Sequence, residues 1–253
     1  MPTTYTDRGT GDALLLVHGH PFDRTMWDPQ TEEFARSHRV VAPDLRGYGS
    51  APRTPGATTT LLSDFAEDVL ALADRLGLGR FLLGGLSMGG QIVMECYRLF
   101  PERISGLLLA DTFPAAETPA GRTARREAAD RLVREGMKPY ADEVLEKMVA
   151  PYADAAVKAR VHRMMTATDP EGAAAALRGR AERPDYRELL TTVTVPTLIV
   201  VGRDDTYTPV ADAEAMHAAV PGSALVVVER AAHLPNLERP EEFNAAVRAH
   251  LTG

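Results

Sequence analysis

The sequence predicts an α/β protein: a mostly parallel, doubly wound sheet interrupted by a helical lid insertion. Three observations predict it. Short apolar runs bounded by Gly, Pro or Asp recur along the chain. Helix-spaced apolar residues lie between several of them. A long middle stretch then drops the alternation and keeps only the helical spacing.

The runs are Leu14–Val17, Val40–Ala42, Phe81–Leu83, Ile104–Ala110, Val195–Val201 and Ala224–Val228. Each is continuous rather than alternating, as in parallel strands buried on both faces. Phe65, Val69, Leu72 and Leu76 share a helical face, and Gly77 follows as a stop. Ile92, Val93, Cys96, Tyr97 and Phe100 repeat the pattern before Pro101, and Phe243, Val247 and Leu251 mark a C-terminal helix. The stretch 114–184 has no convincing strand. Ala124, Ala128, Leu132 and Val133 share one helical face there. Tyr140, Val144, Leu145, Met148 and Val149 share a second, and Val157, Val161, Met164 and Met165 a third. Residues 1–113 and 185–253 are therefore expected to form one core, with 114–184 as a lid. The only biased patch is Ala173–Ala176.

Composition bounds the function. The 253 residues are 45% hydrophobic and 25% charged, enough for a sizeable core without disulfides. A net charge of −7 and the lack of Lys/Arg runs argue against nucleic acid as partner. Cys96 is alone, so an intramolecular disulfide and Cys-rich metal sites are excluded. The opening MPTTYTDRGTG lacks the basic start and apolar stretch of a signal peptide, and no run approaches a membrane span, so the cytoplasm is the expected location. Oligomeric state is not legible.

Gly85-Leu86-Ser87-Met88-Gly89 is G-x-S-x-G, lying between an expected strand and an expected helix. That context holds a serine out on a tight turn, beside the free N–H groups of a helix N-terminus. A serine hydroxyl needs a base. His233 falls in a short loop after the last strand, on the sheet edge that also holds Ser87. His38, His162, His217 and His250 lie in polar or helical settings that suit solvated histidines. The base in turn needs an orienting carboxylate. Gly202-Arg203-Asp204-Asp205, before Thr208-Pro209, supplies two candidates. Asp205 is favoured and Asp204 is expected to make local turn hydrogen bonds; Asp111 is a third, positional candidate.

The order Ser87, Asp205, His233, together with His18-Gly19-His20-Pro21 and Asp44-Leu45-Arg46-Gly47-Tyr48-Gly49-Ser50, resembles the α/β-hydrolase fold family across nearly the whole chain. Within it the serine-nucleophile branch is similar: carboxylesterases, enol-lactonases and cofactor-free haloperoxidases (perhydrolases). Relatives that open epoxides or remove halides carry aspartate where Ser87 stands. The resemblance implies a Ser87–His233–Asp205 triad and an oxyanion hole built from the backbone N–H groups of His20 and Met88. It implies a small-molecule ester or lactone as substrate, with no cofactor and no metal. Perhydrolysis by the same residues stays open, since it differs only in the acceptor. A hydrolase-fold small-molecule receptor that keeps the triad is a further alternative. Trp27 and the lid residues Leu132, Met148, Met164 and Met165 are candidates for lining the pocket. Arg122-Thr123-Ala124-Arg125-Arg126 reads as a solvated helix face, and the His20 imidazole as either a substrate contact or loop packing.

Overall fold

In a computed structural model, which describes residues 4–251, the chain forms the strands β1 (Tyr5–Arg8), β2 (Ala13–Val17), β3 (Arg39–Pro43), β4 (Phe81–Leu86), β5 (Ile104–Ala110), β6 (Thr197–Gly202) and β7 (Ala224–Val228). Helices α1 (Asp28–Phe34), α2 (Leu62–Arg75) and α3 (Met88–Leu99) fall among the first five strands. Four helices follow β5: α4 (Pro119–Glu135), α5 (Met137–Met148), α6 (Ala155–Ala167) and α7 (Pro170–Ala181). The short α8 (Arg187–Leu190) precedes β6. Helices α9 (Val210–Ala219), α10 (Pro235–Glu238) and α11 (Pro240–Leu251) complete the chain.

Among the described residues the strands make one sheet, in the order β1-β3-β2-β4-β5-β6-β7. Only the β1–β3 pairing is antiparallel; Leu15 pairs with Leu83 of β4, and Gly85 of β4 with Leu109 of β5. Because side chains alternate across a strand, Leu15 and Val17 enter one apolar cluster, with α2, α3 and α9. Leu14 and Leu16 enter the other, with Trp27, Phe34, Phe243 and Val247. The sheet is thus covered on both faces, as the continuous apolar runs require.

Three details depart from the sequence reading. β1 was not expected, because its Tyr5-Thr6-Asp7-Arg8 is polar and half exposed, as an edge strand can be. β4 runs to Leu86 rather than ending at Leu83, since a central buried strand accommodates Gly84 and Gly85 without losing its ladder. The alanine patch belongs to α7, which is buried nearly throughout and so shows no amphipathic period. No strand is found between β5 and β6 among the described residues, and no described helix is long and apolar enough to cross a membrane.

Candidate active site

The carboxyl ends of β2, β4, β5 and β6 lie side by side, which is where open parallel sheets gather ligand-binding groups. β4 ends in the G-x-S-x-G turn. Ser87 has φ 58° and ψ −116°, a conformation costly for a residue with a side chain, and α3 begins at the next residue. Flanking glycines make the turn possible. A Cβ at Gly85 would overlap the Gly89 carbonyl, and one at Gly89 would overlap the Val17 carbonyl of β2. The Ser87 N–H donates to the Ala110 carbonyl (2.9 Å) and the Thr112 hydroxyl donates to the Ser87 carbonyl (2.8 Å), tying the turn to the end of β5. Met88 is the first residue of α3, so its N–H has no intrahelical acceptor.

Two strands along the sheet from β4, the turn after β6 presents Asp205. Its Oδ1 accepts from the backbone N–H groups of Tyr207 (2.8 Å) and Thr208 (3.2 Å), and its Oδ2 from the Thr208 hydroxyl. The same Oδ2 lies 2.7 Å from Nδ1 of His233, in the loop after β7. Both side chains are buried, at 0% and 3% exposure. Burial pushes the Asp205 carboxyl up, but the His233 charge, its hydrogen bond and those of Thr208 and Tyr207 outweigh burial and hold it below the usual range. An ionised Asp205 accepts from His233 Nδ1–H, so in the neutral ring the lone pair lies on Nε2.

Asp204 and Asp111 do not take this place. The Asp204 carboxylate accepts from the Tyr152 hydroxyl, and the local turn hydrogen bonds expected of Asp204 are made by Asp205. Asp111 is buried beside the pair, and one oxygen atom from it, one from Asp205 and one nitrogen of His233 lie within 4.8 Å of one another. Its Oδ1 accepts from Gly202 N–H at 2.9 Å. Burial, then the Asp205 charge, raises its carboxyl well above the ordinary value, and its buried Oδ2 has no hydrogen-bond partner among the described residues.

Ser87 and His233 line one cavity of about 200 Å³. Among the described residues no hydrogen bond joins them, which is common before substrate tightens such contacts. His20, after β2, also lines the cavity. Its Nδ1 is 2.8 Å from the Tyr48 hydroxyl, and its buried Nε2 has no partner. Burial, with nearby Arg180 and Arg125, pushes the His20 pKa well down, so the ring is neutral. His18 is structural: its Nε2 accepts from Leu45 N–H (3.0 Å), fastening the end of β2 to the chain beyond β3. Asp44 likewise holds the surrounding loops, accepting from the N–H groups of Arg24 and Ser50, both at 2.9 Å.

The rest of the lining comes from Phe113, from Tyr207 and Thr208, and from the helical segment through Arg125, Tyr140, Met148, Leu177 and Arg180. Of the residues proposed to line it from sequence, only Met148 does. Trp27 packs against Phe243 at 6.1 Å between ring centroids. Met164 and Met165 join the same apolar cluster as Trp27, and Leu132 packs in a separate one with Ala129 and Leu177. These are corrections with one cause: helical spacing reports which face is buried, not whether the burial is against protein or against a cavity. Arg125 is a correction of the opposite kind. The sequence places it on a solvated face, yet it lines the cavity and pairs with Glu117. Arg180 and Tyr207 were missed. The Ala-rich context of the first and the position of the second, two residues past Asp205, were the available signals.

A turn-mounted serine and a buried His–Asp pair at one cavity on a mostly parallel sheet point to a class, and the comparisons agree with it. The model of the alpha/beta hydrolase family matches residues 14–246, and the chain belongs to that family. Among curated relatives it is 30% identical over 251 residues to 3-oxoadipate enol-lactonase 2 of Acinetobacter baylyi, covering 97% of this chain and 91% of that one. Among solved structures it is similar to a thermophilic esterase from Thermogutta terrifontis, with 40% identity, a TM-score of 0.96 and 98% and 92% coverage of the two chains. It is also similar to the enol-lactonase from Burkholderia xenovorans LB400, with 27% identity, a TM-score of 0.90 and 99% and 96% coverage.

Proposed function

We propose that this protein is a serine hydrolase that cleaves a carboxylic ester or lactone through an acyl-enzyme. Ser87 Oγ attacks the carbonyl while His233 Nε2 takes its proton. The oxyanion is held by the N–H groups of His20 and Met88, and removing one such donor typically costs on the order of 3 kcal/mol of transition-state stabilisation. His233 then returns the proton to the leaving oxygen. In the second half, His233 takes a proton from water, which attacks the acyl carbon; the ester bond to Ser87 breaks as His233 returns that proton to Ser87 Oγ, releasing the acid. Asp205 stays ionised throughout, orienting the ring and stabilising the imidazolium.

The observation that carries this reading is the buried 2.7 Å His233–Asp205 contact at the cavity that the strained Ser87 lines. Relatives named as esterases and enol-lactonases support the substrate class. In this reading the segment 114–184 is a lid. The cavity volume of about 200 Å³ favours a small acyl group, because sites for drug-sized ligands run from ~300 to 1,000 Å³. The test is turnover of p-nitrophenyl acetate by wild type and Ser87→Ala. The variant is expected to keep its thermal melt and to lose at least ~10⁴-fold in kcat; activity within tenfold of wild type contradicts the reading.

A further inference from the structure

Helix α7 brings a cation to the cavity with no acid to neutralise it. Arg180 is 7% exposed, lines the cavity, and spends its Nε on the Gln91 side-chain oxygen at 3.1 Å. Among the described residues no carboxylate is paired with it. Arg125 lines the same cavity, and Arg183 stands behind with its guanidinium 4.6 Å from the centre of the Phe113 ring. Glu117 is shared by Arg125 and Arg183, which pair with it and leave Arg180 without a carboxylate. Burial and then the charges of Arg125 and Arg183 destabilise the Arg180 cation. A guanidinium does not relieve such stress by losing its proton.

The position of Arg180 is fixed by backbone. Gly172 of α7 lies against Gly47 so closely that a Cβ would overlap the Gly47 carbonyl, and Gly179, next to Arg180, lies as closely against Thr60. The Thr60 N–H donates to the Ala175 carbonyl at 3.0 Å. A helix docked this tightly holds its arginine in place before any ligand arrives, which lowers the ordering cost of binding.

We propose that Arg180, with Arg125 beside it, forms a carboxylate subsite in the Ser87 cavity, so that the substrates are anionic: half-esters of short dicarboxylic acids, or lactones bearing a carboxylate. This rests on the serine-hydrolase reading for the reaction and adds the class of substrate. Planar guanidinium forks match a carboxylate in geometry as well as charge. Gln91, which Arg180 grips, is one turn of α3 beyond Ser87, whose carbonyl accepts from Gln91 N–H at 3.2 Å. Ser87 and Arg180 line the same cavity of about 200 Å³, which limits the acyl chain between ester and carboxylate to a short one.

The test uses an isosteric pair, monoethyl glutarate and ethyl 5-methylhexanoate, in which a carboxylate replaces an isopropyl group. Hydrolysis is followed by pH-stat. Wild type is expected to prefer the anionic ester at least tenfold in kcat/KM. Arg180→Gln is expected to cut that preference at least tenfold, with Arg180→Lys in between. Glutarate binding to Ser87→Ala, measured by calorimetry, is expected to weaken at least tenfold when Arg180→Gln is added. If Arg180→Gln loses its cooperative melt, Arg125→Gln serves the same comparisons. A wild-type ratio near one, or a ratio and a glutarate affinity unmoved in the folded variants, overturns the subsite. Arginine-dependent glutarate binding without hydrolysis of either ester supports the subsite and contradicts the hydrolase reading alone.

Discussion

The turn around Ser87 and the helices between β5 and β6 meet at one cavity, yet they are built under different constraints. At the turn, backbone approaches backbone: Gly85 against Gly89, and Gly89 against the end of β2. Few residue types fit, and the chemistry adds a hydroxyl, an imidazole and a carboxylate. In the helical segment most positions need only be apolar and of suitable size, as with Leu132, Met164 and Met165. Its contribution to the cavity comes from a few inward side chains, Arg125, Tyr140, Met148, Leu177 and Arg180. In the proposed reading, reaction type is set at the sheet edge, where backbone contacts limit the residue types, and substrate choice by the few inward side chains of the helical segment.

Substitutions can break this contrast. The largest expected effect is at Asp205. Asp205→Asn is expected to lower kcat on an activated ester by roughly 10⁴-fold, because an amide at this position favours the wrong His233 tautomer. Asp111→Asn, 91 positions from the Gly202 N–H it accepts, is expected to stay within tenfold. Equal losses would mean that the two carboxylates share one role.

Next is the turn itself. Gly89→Ala drives a methyl group into the Val17 and His18 carbonyls and is expected to cost at least ~3 kcal/mol, among the larger effects of a single substitution, read as a shift in the urea midpoint. A smaller effect is expected in the helical segment. Met148→Ala enlarges the cavity and is expected to change the ranking of esters of different acyl length by up to about tenfold. Leu132→Ala, which does not line the cavity, is expected to leave the ranking alone while costing about 2–5 kcal/mol of stability. A reversal of those two outcomes would move the substrate surface elsewhere.

The smallest effect is a pH dependence. The Asp111 carboxyl is raised in the folded protein, so folding takes up a proton wherever the unfolded carboxyl is ionised. Below the unfolded value this group contributes its full stability, and that contribution is lost as pH rises towards the folded value. Asn keeps a donor and removes the titration. The stability of Asp111→Asn relative to wild type is therefore expected to increase from pH 4 to pH 8 in thermal melts; a constant difference would show that Asp111 is ionised in both states.

The same contrast explains what was legible in the sequence. The strands from β2 onward, the turn and the loops of Asp205 and His233 announce themselves because apolar runs, glycines and ionisable residues fall in a fixed order. β1 escapes notice because an exposed edge strand needs no apolar pattern. α7 escapes because burial on nearly all sides erases its period, and with it goes Arg180. Asp204 and Asp205 are adjacent in sequence, and only the turn geometry separates them, sending one carboxylate to Tyr152 and the other to His233.

The central claim is that Ser87 is the nucleophile, and covalent trapping tests it most directly. Protein treated with diethyl p-nitrophenyl phosphate and analysed by intact-mass and peptide mass spectrometry is expected to carry one diethylphosphoryl group. That group should map to Ser87 and appear in proportion to the loss of esterase activity. Inactivation without an adduct at Ser87, or an adduct at Ser87 with activity retained, would contradict the claim.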